Sequence, residues 1–171
     1  MESFDAILSR RSVRQYADKP IGREDLERIL EAGRRAPSSV NEQRWDFVVV
    51  TERDRLKQLA KVWRGGQHVA SSAATIALVT PHTNDPDIKE SIGFDLGQAA
   101  MSMMIAAADL GIGSGHSAVR DKDLCRRLLK YPHDRTCDYL VVLGYPADRP
   151  LRPIRHHKRR PFDDVVHFGR W

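Results

Sequence analysis

The chain has 171 residues, of which 41% are apolar and 30% are charged, a composition typical of a soluble globular protein. That length suits one domain, and no apolar run approaches the ~20 residues needed to cross a bilayer, so we expect a single domain over residues 1–171 and no membrane partner. The amino-terminal segment lacks a basic stretch followed by an apolar one, which argues against a secretory signal and for a cytoplasmic location.

The net charge is +5, and its location is more informative than its size. Residues 149–160, RPLRPIRHHKRR, hold six of the 28 basic residues and no acidic one, which leaves 22 basic residues against 23 acidic ones elsewhere. The body of the chain is therefore nearly neutral. We call residues 149–160 the basic strip, and we expect it to bind an anion, whether nucleic acid, a membrane surface or a bound phosphate.

In the first half of the chain, the side-chain pattern predicts three helices and two strands. Apolar residues three and four positions apart predict helices over Ser3–Arg10, Arg23–Arg35 and Glu52–Trp63. β-branched and aromatic content predicts a strand over Trp45–Thr51, and the apolar run Thr75–Thr80 predicts a second strand that is buried on both faces. A polar loop, PSSVNEQ, precedes the first strand.

The second half contains the longest predicted helix, over Ser91–Leu110, after a loop at Pro81–Pro86. The apolar stripe of this helix is wide and rich in small residues, which predicts burial against more than one partner. The glycine cluster Gly111–Gly115 breaks the helix. A shorter helix over Arg120–Lys130 and an apolar strand over Tyr139–Leu143 follow.

After Gly144 the composition changes. Four prolines, the basic strip and the lack of any periodic pattern predict an extended arm, residues 145–171, rather than a separate domain. Helices and strands are mixed in the rest of the chain, which predicts an αβ domain of two or three layers.

The potential metal-binding and thiol residues form no recognisable motif. None of the seven histidines belongs to an H-E-x-x-H motif, and no two lie four residues apart on a predicted helix, so we predict no metal site. Cys125 and Cys137 are too few and too irregularly spaced for a disulfide framework, and neither belongs to a C-x-x-C pair. Cys125 falls in a helical pattern, where we expect a buried or half-buried thiol.

Three short motifs each have a structural and a functional interpretation. GIGSG is either a helix end with a turn or a place where the backbone approaches a ligand closely. The arginines of SRRSVRQY either stabilise the carboxyl end of a helix or bind phosphate through bidentate contacts. PSSVN is either an ordinary turn or a polar frame for a heteroaromatic ring. None of these motifs decides the function alone.

The basic strip is either a solvated arm or a binding segment. Proteins that bind single-stranded nucleic acid usually stack bases on aromatic side chains, but residues 149–161 contain no aromatic residue. No predicted helix carries this charge into a groove of a duplex. We therefore predict no nucleic-acid partner.

Together, RRSVR, PSSVNEQRW, a long helix ending in LGIGS, a strand ending in LGYP and the closing KRRPFDDVVH resemble the nitroreductase family of flavoproteins in order and spacing. The resemblance covers residues 4–171. It implies an α+β fold with a central, mostly antiparallel sheet flanked by helices. It also implies FMN as the cofactor and a homodimer in which the arm, residues 145–171, is exchanged with or wrapped on the partner subunit.

The matching motifs imply which residues bind FMN. The first motif binds the phosphate and nearby groups, which implies Arg10, Arg11, Ser12 and Arg14. The second comes from the other subunit and lies over the isoalloxazine ring, which implies Pro37, Ser38, Ser39 and Asn41. The glycine turn approaches the ring with backbone N–H groups, which implies Gly113 and Ser114. Basic residues of the arm close the phosphate site, which implies Lys158 and Arg160, with Arg159 as the alternative contact.

Two positions depart from the family's pattern. Arg44 precedes the strand tryptophan where the family often has proline, and Ala73 and Ala74 stand where it often has Ala-Pro. The chain is also short, so the inserts that shape substrate pockets in longer relatives are reduced. These departures bear on the substrate more than on the cofactor.

The resemblance implies hydride transfer from NAD(P)H through flavin N5 to a small organic acceptor of the nitroaromatic, quinone or enone type, by a ping-pong mechanism. Because that chemistry belongs to the flavin, no residue is assigned as a catalytic acid, base or nucleophile. Two alternatives stay open. One is a basic binding module without flavin, which would bind nucleic acid or serve as a regulatory protein. The other is a dehalogenating or flavin-fragmenting enzyme within the same family.

Overall fold

A computed structural model describes residues 2–154 and 158–171 of the chain. The helices of this part are α1 (Ser3–Ser9), α2 (Arg23–Arg34), α3 (Arg53–Leu59), α4 (Pro86–Asp109) and α5 (Lys122–Leu129). The strands are β1 (Asp46–Val50), β2 (Ala74–Pro81), β3 (Gly113–Ala118) and β4 (Arg135–Gly144). Short 3-10 turns cover residues 39–41, 60–62, 67–71 and 162–164.

The strands form one sheet in the order β1–β2–β4–β3, and every neighbouring pair is antiparallel. Strand β2 lies inside the sheet, where Ile76 pairs with Val49 of β1 on one side and with Val141 of β4 on the other. This arrangement confirms the predicted α+β fold with a central antiparallel sheet.

Alternation along the inner strands sends their side chains into two cores. On one face, Ile76 and Val141 pack with residues of α2 and α4. On the other face, Ala77 and Val142 pack with residues of α3, α5 and the 67–71 turn. Strand β2 is buried from Ala74 through Thr80, which confirms the prediction of a strand buried on both faces.

Both cysteines lie in the second core. Cys125 of α5 and Cys137 of β4 are free and fully buried, which confirms the expectation for Cys125. A hydrogen bond with Cys125, and then burial, raise the pKa of Cys137. The Cys137 thiol is therefore protonated at neutral pH.

Helix α4 begins five residues earlier than the apolar pattern predicted. The Asp85 carboxylate accepts hydrogen bonds from two backbone N–H groups of the first turn, and Pro86 occupies the first position, where no N–H is needed. Because this turn is polar, apolar periodicity does not reveal it. Farther along, a side chain at Gly33 of α2 would come within 2.1 Å of Met103, so the two helices cross closely. Contacts with α1, α2 and β3 confirm burial against several partners.

Strand β3 occupies a segment where the sequence predicted only a break. The predicted turn is present at Gly111, whose φ of +71° lies in the left-handed region. From Gly113 onward the prediction is wrong, because the chain continues as a strand. Glycine and serine have little intrinsic strand preference, so the segment carries no local signal. Pairing with β4, for example Ser114 opposite Leu143, makes it a strand.

Other boundaries differ by a few residues. Helix α3 ends at Leu59 and passes into the 60–62 turn, so Trp63 is extended rather than helical. Helix α5 begins at Lys122 because the Asp121 carboxylate accepts the Leu124 N–H at 2.8 Å. Strand β4 begins at Arg135, since its polar first residues still pair with β2.

The arm leaves the sheet after Gly144 and first runs beside the amino-terminal segment. The Ala17 N–H donates to the Tyr145 carbonyl at 2.8 Å, and the Ala147 N–H donates to the Gln15 carbonyl at 3.0 Å. Apart from the 162–164 turn, the described residues of the arm form no helix and pair in no sheet, as predicted for an extended arm, and residues 155–157 of the basic strip lie outside the described residues. In the described part of the chain, no helix combines the length and apolarity that a membrane span requires.

Candidate functional site

Residues 10–16 pack along the outer edge of β3. The Val13 N–H donates to the Ser114 carbonyl at 2.9 Å, and Ser12 and Ser114 form a parallel bridge. The Tyr16 hydroxyl donates to the Val13 carbonyl at 2.7 Å. Burial raises the pKa of Tyr16, so its phenol is neutral at physiological pH. The amino-terminal segment is thereby fixed to the sheet and carries its arginines to that edge.

Glycines make this close packing possible. A Cβ at Gly113 would lie 2.7 Å from a Val13 methyl group, and one at Gly115 would lie 2.9 Å from the Val13 carbonyl oxygen. A Cβ at Gly144 would lie 2.6 Å from the Tyr16 ring. The close backbone approach here is therefore made by the protein's own chain, a possibility that neither interpretation of GIGSG included.

Arg10 and Arg14 flank this edge. Arg10 follows α1, and its Nε is buried with no hydrogen-bond partner among the described residues. Arg14 is exposed and forms no ion pair within that part of the chain, although its charge lowers the pKa of the buried His68. Ser12 lies exposed between them. Two guanidinium cations, one of which has an unsatisfied Nε–H, and a nearby hydroxyl suit a phosphate dianion.

Arg11 has different contacts. Its guanidinium donates to the Asp148 carboxylate at 2.7 Å and to the Arg149 carbonyl at 2.8 Å. The hydrogen bond from Arg11 holds the pKa of Asp148 below its ordinary value. Of the predicted phosphate ligands, Arg11 is therefore the one that the described chain already uses, to fasten the arm to the amino-terminal segment.

The loop after α2 has an unusual backbone. Val40, Asn41 and Gln43 have φ values of 51°, 57° and 50°, in the left-handed region that non-glycine residues seldom adopt. Val40 is also 91% exposed, although it is apolar and β-branched. A conformation of this kind persists only where other contacts hold it.

A buried carboxylate supplies those contacts. Both oxygens of Asp95, on α4, accept the Ser39 N–H at 3.1 Å, and Asp95 is 3% exposed. The Ser38 hydroxyl accepts the Gln43 N–H at 3.0 Å, and the Gln43 amide donates to Asn41. The polar groups of the PSSVN motif are thus fixed by internal hydrogen bonds, with Asp95 as an anchor that the sequence did not suggest.

Only part of the predicted site comes together within one chain. Ser12 and Ser114 are adjacent, with Arg10 and Arg14 beside them. Within the described residues, no hydrogen bond or ion pair links residues 37–43 to residues 10–14. The basic residues of the arm are exposed there, and the side-chain hydrogen bond found among them joins Arg160 to the Asp164 carbonyl at 2.6 Å. Lys158, Arg160 and the alternative Arg159, which were predicted to bind the phosphate, are among these exposed residues.

His68 lies beside the edge of β3 and was not among the predicted site residues. It is 7% exposed, and its Nε2 has no hydrogen-bond partner in the described part of the chain. Its pKa is lowered, first by burial and then by the charges of Arg14 and His116, so the imidazole is neutral at pH 7. A single histidine outside any motif gives no signal in the sequence, and only the fold reveals its neighbours.

A groove runs between α4 and the face of the sheet formed by β2, β4 and β3. It has a volume of about 410 Å³ and is mainly apolar, with Gly93, Gly97 and Met101 on the helix side and His116 and Tyr139 on the sheet side. We call it the α4 groove. No group of three or more potential metal ligands occurs among residues 2–154 and 158–171.

Comparison with known proteins shows which family this chain resembles. A sequence model of the nitroreductase family matches residues 7–89. A protein of Archaeoglobus fulgidus, provisionally named NADH dehydrogenase/NAD(P)H nitroreductase, is 35% identical over 93% of this chain and 98% of its own length. The chain belongs to the nitroreductase family. It is therefore an oxidoreductase.

Two other proteins are similar to this nitroreductase family member over most of its length. The FMN reductase [NAD(P)H] of Bacillus subtilis is 28% identical over 90% of this chain and 70% of its own length. The structure of an FMN-dependent nitroreductase from Clostridium difficile superposes with a TM-score of 0.84, at 23% identity, over 98% of this chain and 99% of that one. The shared fold thus spans both the edge of β3 and the arm.

Proposed function

We propose that this enzyme uses FMN to pass hydride from NAD(P)H to a small organic acceptor of the nitroaromatic, quinone or enone type. The names of the relatives support NAD(P)H and a flavin as its general chemistry. The observation that carries the choice of FMN is the pair of cations at the edge of β3, Arg10 and Arg14, which lack partners in the described chain. Bound FMN would supply N5, the ring atom that accepts hydride from one substrate and donates it to the next in a ping-pong sequence.

The phosphate is the part of FMN that the amino-terminal segment is suited to hold. Arg10 and Arg14 would neutralise its two charges, and the Ser12 hydroxyl would donate a hydrogen bond. Arg11 would act one step away, because it is paired with Asp148 and positions the beginning of the arm. Lys158 and Arg160, or Arg159 in place of Arg160, would close the site from the arm.

The ring would lie against Gly113 and Ser114 and under a loop of a second copy. The loop residues are Pro37, Ser38, Ser39 and Asn41. Asp95 accepts the Ser39 N–H and so fixes the backbone next to Val40 and Asn41, the residues in the left-handed region. A preformed loop loses little conformational entropy when it covers a ring, so this arrangement favours binding.

A homodimer is supported by the apolar side chains that one chain leaves exposed. On α4, Phe94 is 72% exposed beside the α4 groove. On the arm, Phe168 and Trp171 are 88% and 98% exposed. Six of the ten large apolar side chains that are exposed in the described chain lie on α4 or on the arm, and exposed apolar surface of this kind marks interaction sites. A second copy would cover both, and it would bring its loop and its arm to the flavin site.

The alternative of a flavin-free nucleic-acid module depends on the basic strip alone. The first part of the strip is attached to the amino-terminal region by its backbone: the Arg149 carbonyl accepts from Arg11, and the Ile154 N–H donates to the Leu8 carbonyl. The side chains of residues 158–160 are exposed. A segment partly fixed to the protein by its backbone does not present a continuous cationic face. The dehalogenating and flavin-fragmenting alternatives have no specific residue in their favour.

The absorption spectrum of the purified protein tests the proposal. We expect a yellow protein with oxidised-flavin bands, release of FMN rather than FAD on denaturation, and bleaching of the bands by NADH or NADPH without air. Reoxidation by a quinone or nitroaromatic compound should restore them. A colourless protein that takes up no FMN at micromolar concentration would contradict the proposal.

A further inference from the structure

A basic hollow lies beyond the carboxyl end of β3, outside the residues proposed to bind FMN. It has a volume of about 770 Å³ and is lined by residues 61–64, which follow α3, and by residues 120–123, where α5 begins. We call it the Trp63 hollow. The backbone joins its two walls, because the N–H groups of Arg120 and Asp121 both donate to the Val62 carbonyl, at 3.0 and 2.9 Å.

Three cations of the hollow have no partner in the described part of the chain. Their side chains are exposed and make neither an ion pair nor a hydrogen bond there. These cations are Lys61, Arg64 and Arg120. Unpaired positive side chains around one concavity favour an anion, and guanidinium groups favour phosphate in particular because they bind its oxygens in bidentate fashion.

The two carboxylates of the hollow are already engaged. Asp121 accepts a backbone N–H of the first turn of α5 at 2.8 Å, and Asp123 pairs with Arg126 at 3.4 Å. The fourth cation of the hollow, Lys122, pairs with Asp138 at 2.6 Å. The hollow therefore has four cations against two carboxylates, and the charge that the described chain leaves unpaired is positive.

An aromatic wall makes the hollow better suited to a nucleotide than to an inorganic anion. Trp63 is half-buried, and a Cβ placed on Gly65 would lie 2.5 Å from its ring, so the absence of a side chain at Gly65 allows the indole to pack there. An indole beside cations provides a surface on which a base can stack and charges that attract its phosphate.

The hollow lies next to the strand that the flavin ring is proposed to contact. A Cβ placed on Gly66 would lie 3.0 Å from the Ser117 Oγ and 3.1 Å from the Trp63 carbonyl oxygen, so this turn packs on β3. Ser117 is three residues beyond Ser114 on that strand, a distance of about 10 Å. A nicotinamide dinucleotide carries nicotinamide at one end and adenosine at the other. With its nicotinamide over a ring at Ser114, its adenosine end can reach the Trp63 hollow.

We propose that the Trp63 hollow binds the adenosine 2′-phosphate of NADPH and so makes NADPH, rather than NADH, the preferred hydride donor. This inference rests on the proposed function, since it requires a flavin at the β3 edge that takes hydride from a dinucleotide. Arg64 and Arg120 bind the phosphate oxygens, Lys61 adds a third positive charge, and the adenine lies against Trp63. Arginine is a usual partner of the 2′-phosphate in proteins that bind NADP.

Steady-state kinetics with the two donors test the assignment. In the double variant Arg64→Ala, Arg120→Ala, kcat/KM for NADPH should fall at least about tenfold, as for the loss of charge-assisted hydrogen bonds to one phosphate, while kcat/KM for NADH should stay within about twofold. A quinone at fixed concentration serves as the acceptor for both donors. The matched control, Arg55→Ala with Arg127→Ala, removes the same charge from exposed positions outside the hollow and should leave both values unchanged.

Binding of nucleotide fragments to the wild-type protein depends neither on the folding of a variant nor on hydride transfer. The probes are 2′,5′-ADP, which carries the 2′-phosphate, and 5′-AMP, which is the same nucleotide without it. By isothermal titration calorimetry, we expect 2′,5′-ADP to bind at least about tenfold more tightly than 5′-AMP, and we expect the difference to disappear in the double variant. The double variant should retain FMN, since neither arginine is among the proposed flavin ligands.

Failure of this assignment is distinguishable from failure of the proposed function. If the wild type takes up FMN and oxidises both donors, but with equal kcat/KM, or if 2′,5′-ADP binds no more tightly than 5′-AMP, only the assignment of the Trp63 hollow is overturned. A loss in the double variant that is equal for NADPH and NADH also overturns it, since that pattern indicates a contact with a group that both donors share. If the wild type takes up no FMN and oxidises neither donor, the proposed function fails, and the assignment of the hollow fails with it.

Discussion

The arginines of the amino-terminal segment differ in what their guanidinium groups contact. Arg11 is paired with Asp148 of the arm, whereas Arg10 and Arg14 have no such partner among the described residues. A cation already paired gains less from a phosphate than an unpaired one, because it must share its hydrogen bonds. The three positions are therefore expected to respond differently to substitution.

Replacing both Arg10 and Arg14 by alanine should weaken FMN binding at least a hundredfold and riboflavin binding by less than threefold. The reason is that each charge-assisted hydrogen bond to the phosphate contributes about 1.5–3 kcal/mol, and riboflavin has no phosphate to lose. Fluorescence titration of the flavin-free protein measures both affinities. The control is Arg11→Ala, which should loosen the arm and reduce FMN affinity less than the double variant does. Equal losses for FMN and riboflavin in the double variant would show that these arginines do not bind phosphate.

For individual residues, the sequence indicated which side chains belong to the candidate site, but it did not indicate which residues they contact. The arginines and the polar loop residues stand out by composition and order, so they could be singled out as candidates. Asp95 and His68 could not, because each is a single ionisable residue within an ordinary helix or turn. Their significance comes from burial and from neighbours more than 40 residues away in the sequence, such as Ser39 for Asp95.

Among the elements, β3 is the one that depends most on its neighbours. Its glycine and serine residues have weak strand preference, and it is held by β4 on one side and by residues 10–16 on the other. Apolar runs allowed β2 and most of α4 to be predicted, since their local patterns agree with the final fold. Strand β3 has no such pattern, and only its pairing partners reveal it.

Substitution of Gly115 by alanine should lower the free energy of unfolding by about 1–3 kcal/mol, the usual cost of overpacking. The new methyl group would lie 2.9 Å from the Val13 carbonyl oxygen, a backbone atom that cannot rotate away. Urea denaturation of the flavin-free protein measures the change, and affinity for FMN should fall as residues 10–16 are displaced. In the control Gly22→Ala, the added methyl group meets only a side-chain oxygen at 3.9 Å, and stability should change far less. A Gly115→Ala variant as stable as the wild type would show that the contact can relax.

The carboxyl-terminal part of the basic strip provides a second test at the level of elements. The double variant Lys158→Ala, Arg160→Ala should lose FMN affinity, and neither it nor the wild type should bind DNA or RNA tightly at moderate salt. A control that removes the same charge elsewhere, Arg55→Ala with Arg127→Ala, should retain FMN. Nucleic-acid binding by the wild type with a steep salt slope, together with normal FMN affinity in the double variant, would assign the strip to nucleic acid instead.

In the molecule as a whole, the residues of the proposed site lie in regions that do not contact one another through hydrogen bonds or ion pairs within the described part of a single chain. The amino-terminal arginines and β3 meet, while the loop at residues 37–43 and the end of the arm make no described hydrogen bond or ion pair with them. We propose that a second copy completes the site by covering exposed apolar residues of α4 and the arm, such as Phe94 and Trp171.

Phe94→Asp should therefore convert a dimer into a monomer and release the flavin, because a charge would replace a large apolar side chain at the proposed interface. Sedimentation velocity at micromolar concentration, followed at the flavin absorbance, measures both effects together. The wild type should sediment as a flavin-loaded dimer, with an interface above the ~2,000 Å² expected of obligate dimers. The control Gln58→Asp, on the exposed side of α3, should leave the dimer intact. A stable, flavin-loaded monomer of the wild type would refute the dimer.

The contacts between residues 10–16 and the distant strands also set the order in which the molecule can be made. Val13 needs Ser114, and Tyr16 packs on Gly144, so this early segment has no partner until more than a hundred further residues have left the ribosome. At ordinary elongation rates of ~5–20 residues per second, that delay is on the order of ten seconds. During it, the arginines proposed to hold the phosphate are on an undocked segment. Incorporation of the cofactor is therefore expected after synthesis, with the final strand as the step that permits it.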